Sequence, residues 1–321
     1  MRRIYIAAIV LAAILAGSAS AASTTRLTLV AYSTPKTAYA KIIPAFQKTP
    51  AGKGVRFDES YGASGDQARA VAAGLSADVV ALALAPDVDE LVRDKLVSSS
   101  WKQAPHNGVV ARSVVVFVVR NGNPKKIKTW DDLVKSGVQV VTPNPFTSGG
   151  ARWNVMAGYG AMLREQKTAK QARGYLKTLF QKHVVAQDSS ARAALQTFLG
   201  GKGDVLLTYE NEAILAQRQN QPVYYVIPKA TIQIETPAAV TRTSKHAKQA
   251  KAFLNFLWTP MAQKLYGQEG YRPVVPSVAK QFKYPARPQL FTIRWLGGWT
   301  KIQKTFFDPN TGVMAKIEHG G

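Results

Sequence analysis

Four short turns concentrate the residues of this chain that could do chemistry. They are Tyr32-Ser33-Thr34-Pro35, Gly62-Ala63-Ser64-Gly65, Thr147-Ser148-Gly149-Gly150-Ala151-Arg152 and Asp188-Ser189-Ser190-Ala191. Each precedes a helical pattern, so each exposes the first unpaired backbone N–H groups of a helix beside one or two hydroxyls. A helix start behaves as about half a positive charge and favours an anion. Gly65, Gly149 and Gly150 lack a Cβ, which lets a ligand come close to the main chain. Any one such turn is accounted for by ordinary N-capping, worth about 1 kcal/mol. Four of them together point to anion capture. A dianion buried without compensation costs roughly tens of kcal/mol, and several N–H donors can offset that without a buried counter-charge. A site built from donors alone also discriminates. A fully ionised oxyanion accepts hydrogen bonds all round, whereas phosphate at neutral pH carries a proton and needs an acceptor.

Other chemistries lack their residues. There is no cysteine, which excludes disulfides, thiolate metal sites and thiol nucleophiles. The four histidines (His106, His183, His246 and His319) show no H-E-x-x-H or comparable metal-ligand spacing. Gly-x-Ser-x-Gly is absent, which argues against a nucleophile-elbow hydrolase. Gly200-Gly201-Lys202-Gly203 lacks the Lys-[Ser/Thr] ending of a P-loop and precedes a strand pattern. No catalysis, metal or other cofactor is expected.

The elements that must position these turns alternate. Apolar β-branched runs predict strands at 27–31, 55–61 and 78–85, interleaved with helices at 35–47, 64–74 and 86–94. Residues 109–119, nearly all Val and Phe, form a strand long enough to pass from one body to another. A turn at 121–124, a short helix at 130–135 and a strand at 138–142 follow. Helices are predicted at 150–163 and 169–182, a strand at 183–186, a helix at 191–199, a strand at 205–208 and a helix at 210–217. Strands at 223–227 and 232–240 precede a basic amphipathic helix at 246–257, and the remainder reads as irregular and aromatic-rich. The expectation is two α/β bodies: 23–111 with a return over 236–270, and 112–235, with 271–321 packing on both. Open α/β sheets bind ligands at the carboxyl ends of their strands, which is where the four turns fall.

The balance of 42 Lys+Arg against 19 Asp+Glu gives a net charge of +23. Arg2 and Arg3, an apolar run over 4–16 and Ala19-Ser20-Ala21 together read as a signal peptide over 1–22, cut near Ala21-Ala22. The apolar run is shorter than the roughly 20 residues of a membrane span. An exported chain without the two arginines would carry 23 − 2 = +21. Its basic residues are scattered, and the densest cluster, Lys125-Lys126-Ile127-Lys128, has one aromatic nearby, so nucleic acid is not the expected partner.

Several stretches fall in a familiar order: Tyr61-Gly62-Ala63-Ser64-Gly65, residues 77–85, Arg120-Asn121-Gly122-Asn123-Pro124-Lys125, residues 142–154 from Thr142-Pro143-Asn144-Pro145 onward, residues 203–213, Tyr271-Arg272-Pro273 and Phe291-Thr292-Ile293. On these the chain resembles the periplasmic sulfate-binding proteins of ABC-type sulfate/thiosulfate transporters. The resemblance implies a two-lobed type II periplasmic binding protein. Each lobe would be a mostly parallel sheet with flanking helices, and crossover strands would join them. It also implies a monomer that binds sulfate, and thiosulfate, for a membrane permease and its ATPase. By the same resemblance Ser64 would donate through its hydroxyl and N–H, Ser148 through its hydroxyl, and Gly149, Gly150 and Ala191 through their N–H groups. Ser33 stands where the family has an Asp that uses only its N–H. Tyr209 stands where the family has a Trp whose indole is a pure donor, while a phenol also accepts. Related molybdate-binding proteins use a Tyr, so molybdate, tungstate or phosphate binding on the same fold is the alternative, with an exported ester hydrolase behind it. Asp66 and Asp188 could accept a proton from hydrogen phosphate, although Asp66 is better read as supporting its helix start. Arg192 is expected behind the main-chain donors, in a supporting ion pair.

Overall fold

The computed structural model describes residues 25–285 and 289–319. The signal segment expected over 1–22 lies outside the described residues. Ten strands are present among them: β1 (Thr25–Tyr32), β2 (Val55–Gly62), β3 (Val79–Ala81), β4 (Val109–Arg120), β5 (Val140–Pro143), β6 (Val184–Asp188), β7 (Val205–Tyr209), β8 (Val223–Val226), β9 (Ala230–Val240) and β10 (Gln289–Phe291). Their order in one curled sheet is β2-β1-β3-β9-β4-β7-β5-β6, with β10 beside β9 and β8 beside β4. The two ends are parallel, β2-β1-β3 on one side and β7-β5-β6 on the other. Between them β4 and β9 run antiparallel.

The near-continuous Val run of β4 follows from burial on both faces. Val115, Phe117 and Val119 enter one core, while Val114, Val116 and Val118 enter another. A strand covered on both sides has no polar face to alternate with. β1 behaves alike, with Leu27, Leu29 and Ala31 in one core and Val30 in a second. β4 and β9 are shared by both halves. β9 pairs with β3 through residues 238–240, β4 pairs with β7 through 115–119, and the two strands pair with each other between these contacts.

The structure departs from the sequence expectations in three places. The strand expected over 78–85 is only Val79–Ala81, and the chain then turns into a helix at Ala85–Arg93. The helix expected over 169–182 is α-helical only over Ala169–Thr178 and ends in a π-turn, Leu179–His183. The C-terminal part is not irregular. It holds helices at Pro260–Gln268, Pro276–Ala279, Trp299–Phe306 and Val313–Glu318, besides β10. These are short, and packing holds them more than propensity does. Trp299 meets Trp153 edge to face at 4.8 Å, and Phe306 meets Tyr159 at 4.7 Å.

Phe291 of β10 closes over the long helix Gly149–Arg164 so tightly that a Cβ at Gly160 would lie 2.2 Å from its Cε2. Overpacking of this kind costs about 1–3 kcal/mol. Gly160→Ala is therefore expected to lower the urea unfolding free energy by that amount, and an unchanged midpoint would show that the ring yields freely.

Candidate anion-binding site

Each parallel strand ends in a turn that opens a helix, and these turns converge. From the first half, Tyr32, Ser33, Gly62, Ala63, Ser64 and Ala83 line one small cavity; from the second, Ser148, Gly149, Gly150, Ser190, Ala191 and Tyr209 close it. The structure thus brings together seven of the residues singled out from sequence: Ser33, Ser64, Ser148, Gly149, Gly150, Ala191 and Tyr209. The cavity volume is only about 10 Å³, far below the roughly 300–1,000 Å³ of pockets for drug-sized ligands.

The donors are organised by their helices. Ser148 caps Gly149–Arg164, its Oγ accepting from the Ala151 N–H at 3.4 Å, and Ser190 caps Ala191–Leu199, accepting from Ala193 at 3.2 Å. Both hydroxyl hydrogens stay free of the cap. Helix geometry gives the N–H groups of Gly149, Gly150 and Ala191 no carbonyl within their own helix. Ser64 is arranged differently. It is the first helical residue and not a cap. Its Oγ accepts from the Ala83 N–H at 2.8 Å and donates to Asp87 Oδ2 at 2.5 Å. Hydroxyl donation from Ser64 into the cavity is therefore corrected, because that hydrogen is committed to Asp87 and only the N–H remains.

Tyr209 is 1% exposed, and its Oη has no hydrogen-bond partner among the described residues. The ring lies against the main chain: a Cβ at Gly150 would sit 2.8 Å from Tyr209 Cε2 and 3.2 Å from Oη. Burial first, then the neighbouring Tyr32 phenol and the carboxylates of Asp87 and Glu212, push the phenol well above its ordinary range, so it stays neutral.

Among the described residues, no ionisable side chain other than the two phenols lines the cavity. The nearby charges are paired among themselves. Arg192 grips Glu212 through two bonds of 2.7 and 2.8 Å and donates to the Thr34 carbonyl at 3.0 Å. Burial opposes the Arg192 charge, but Glu212 outweighs it and holds the guanidinium above its ordinary value. Arg152 lies 3.6 Å from Asp87, and Arg272 grips Glu210 at 2.6 and 3.0 Å. Asp66 is exposed and pairs with Arg69, while Asp188 accepts from Thr197 Oγ1 at 2.9 Å. Neither carboxylate lines the cavity, so neither is placed to take a proton from a guest there.

The halves touch across the cavity. The Gly65 N–H donates to the Thr147 carbonyl at 3.0 Å, and Trp153 Nε1 donates to the Ala83 carbonyl at 2.9 Å. Sequence reasoning did not assign Asp87, Trp153, Tyr32, Ser190 or Glu212 to the site. Tyr32, Ser190, Trp153 and Glu212 stood inside the turns and stretches singled out. Asp87, 23 residues from Ser64, shows only as an acid in a first helical turn.

The sequence profile of the family described as "Bacterial extracellular solute-binding protein" matches residues 27–272. The chain belongs to this family. It is 44% identical over 292 residues to a sulfate-binding protein of Synechococcus elongatus, covering 88% of this chain and 83% of that one. It is 35% identical over 321 residues to a thiosulfate-binding protein of Pseudomonas aeruginosa, covering 96% of each. Among solved structures it is similar to the sulfate-binding protein SubI from Mycobacterium tuberculosis, with a TM-score of 0.86, 44% identity, and 88% of this chain and 100% of that chain covered.

Two outcomes follow for this solute-binding protein. A Cβ at Gly149 would fall 2.2 Å from Leu84 Cδ2 and 2.7 Å from Ala83 Cβ, on the opposite face of the seam. Gly149→Ala is expected to hold the halves apart, read as a larger radius of gyration in small-angle scattering. An unchanged radius would show that the seam absorbs the methyl. The second outcome concerns Asp87, which is 2% exposed. Burial raises its carboxyl above the ordinary value, against the lowering by Arg152 and Ser64. The folded protein holds this proton more tightly than the unfolded chain, so between the ordinary and the raised value stability falls as pH rises. Wild type is expected to gain stability relative to Asp87→Asn as pH is lowered through that window. Urea midpoints of both proteins at several pH values measure it, and a pH-independent difference would refute the shift.

Proposed function

We propose that this solute-binding protein captures sulfate, and thiosulfate, in the cavity between its two lobes and delivers it to an ABC importer, a permease with its ATPase. The observation that carries the reading is the cavity's lining, which is N–H and hydroxyl groups from both halves with no cation among them. The sulfate- and thiosulfate-binding relatives support the same ligand class.

On this reading the dianion is held by the starts of the helices Ser64–Ala72, Gly149–Arg164 and Ala191–Leu199 and by the N–H of Ser33. Ser148 and Tyr209 add hydroxyl donors. Hydrogen bonds to a charged group contribute about 1.5–3 kcal/mol each. Arg192 and Arg152 do not touch the ion. They anchor the turns while their own charges are matched by Glu212 and Asp87. Asp66 supports its helix start from outside. Because donors come from both sides, the closed arrangement binds better than an open one, and ligand shifts the population toward it.

The lobes would be 23–111 with 236–270, and 112–235, with 271–321 packing on both. The sharing of β4 and β9 between the halves supports this division. The reading is of a periplasmic monomer that performs no chemistry and needs no cofactor. Calorimetry tests it. Sulfate is expected to bind at micromolar Kd or tighter, and Ser148→Ala to weaken it about tenfold or more. Absence of sulfate binding, or hydrolysis of a sulfate ester by the purified protein, would overturn it.

A further inference from the structure

The cavity is less purely a donor site than its helix starts imply. The hydrogens of Ser148 and Ser190 are free to donate to an anion, while each oxygen uses one lone pair on the cap, accepting from Ala151 and Ala193, and keeps one. Two groups differ. Ser64 Oγ has given its hydrogen to Asp87 and can offer the cavity only its remaining lone pair. Tyr209 Oη is buried with neither its hydrogen nor its lone pairs engaged. The other buried phenol of the lining, Tyr32, likewise has no hydrogen-bond partner among the described residues, but the hydroxyls of Thr34, Thr236 and Tyr271 stand near it, and Tyr209 has no such neighbours.

A buried polar atom left without a partner is destabilising, so Tyr209 Oη is a place where a guest's own group belongs. Toward a fully ionised oxyanion it donates. Toward an oxyanion that carries a hydrogen it can rotate its O–H and accept. We propose that Tyr209 is a specificity-determining residue that lets this cavity take monoprotonated tetrahedral oxyanions, hydrogen phosphate being the simplest, besides fully ionised ones. The proposal rests on the anion reading of the same cavity. Asp66 and Asp188, the carboxylates that could have served as acceptors, stand outside the lining. The raised Tyr209 phenol stays neutral, and so keeps both roles, across the pH range of the test.

The test is calorimetry of the whole protein with sodium sulfate and sodium phosphate at about pH 8, where phosphate is mainly the monohydrogen dianion. Wild type is expected to bind both, phosphate more weakly. Tyr209→Trp replaces a donor-acceptor with a donor. It is expected to keep sulfate affinity within a few-fold and to lose about tenfold or more for phosphate. Should the indole not be accommodated, Tyr209→Phe serves: it removes one donor from sulfate but strands the phosphate hydrogen, so phosphate again loses more. Sulfate binding without phosphate binding in wild type overturns the proposal, as do equal losses for both ions in the variants. Binding of neither ion to wild type would instead refute the proposed function itself.

Discussion

A buried cavity at which several helix starts meet leaves their first N–H groups in need of partners. Those groups have no carbonyl in their own helices, and burial removes the water that would otherwise satisfy them. The rest of the molecule is arranged around that constraint. The parallel strands of each half end at the cavity, so that every strand-to-helix turn can present its amides there. Glycines stand where side chains would block the approach. Gly149 lets the seam close against Ala83 and Leu84, and Gly150 lets the Tyr209 ring lie on the main chain.

The charges nearby obey the same constraint. Arg152–Asp87, Arg192–Glu212 and Arg272–Glu210 are each internally matched, so none presents an unbalanced charge to the cavity. Buried pairs of this kind contribute little net stability, and removing one partner is strongly destabilising. Two of them also fasten the halves together. Arg192 reaches from the helix Ala191–Leu199 to the Thr34 carbonyl, and Arg152 reaches from the second half toward Asp87 in the first. The paired strands β4 and β9 carry the chain between the halves, and their apolar residues feed cores on both faces.

Most of this was legible in the sequence because it is written locally. Small and hydroxyl residues before a helical pattern mark the turns, and unbroken Val runs mark strands buried on both faces. Contacts between distant segments were not legible. The Ser64–Asp87 bond, which reverses the role expected of that serine, depends on how the turn after β3 meets the turn after β2. The C-terminal helices were missed because their stability comes from aromatic contacts such as Trp299 on Trp153, and periodicity over four to nine residues is too short to show them. The strand expected over 78–85 is shorter for the opposite reason. Residues 82–84 are as apolar as a strand but are buried as a turn beneath the cavity.

A lining made largely of main-chain amides has a consequence for how such a protein changes over generations. No codon substitution deletes an amide short of introducing proline, so on the proposed reading the capacity to hold an anion would be inherited with the backbone itself. Drift can then act on the glycines that allow the close approach and on the few hydroxyl-bearing positions around it. In such a scaffold grip is conserved by architecture, and discrimination is left to two or three side chains.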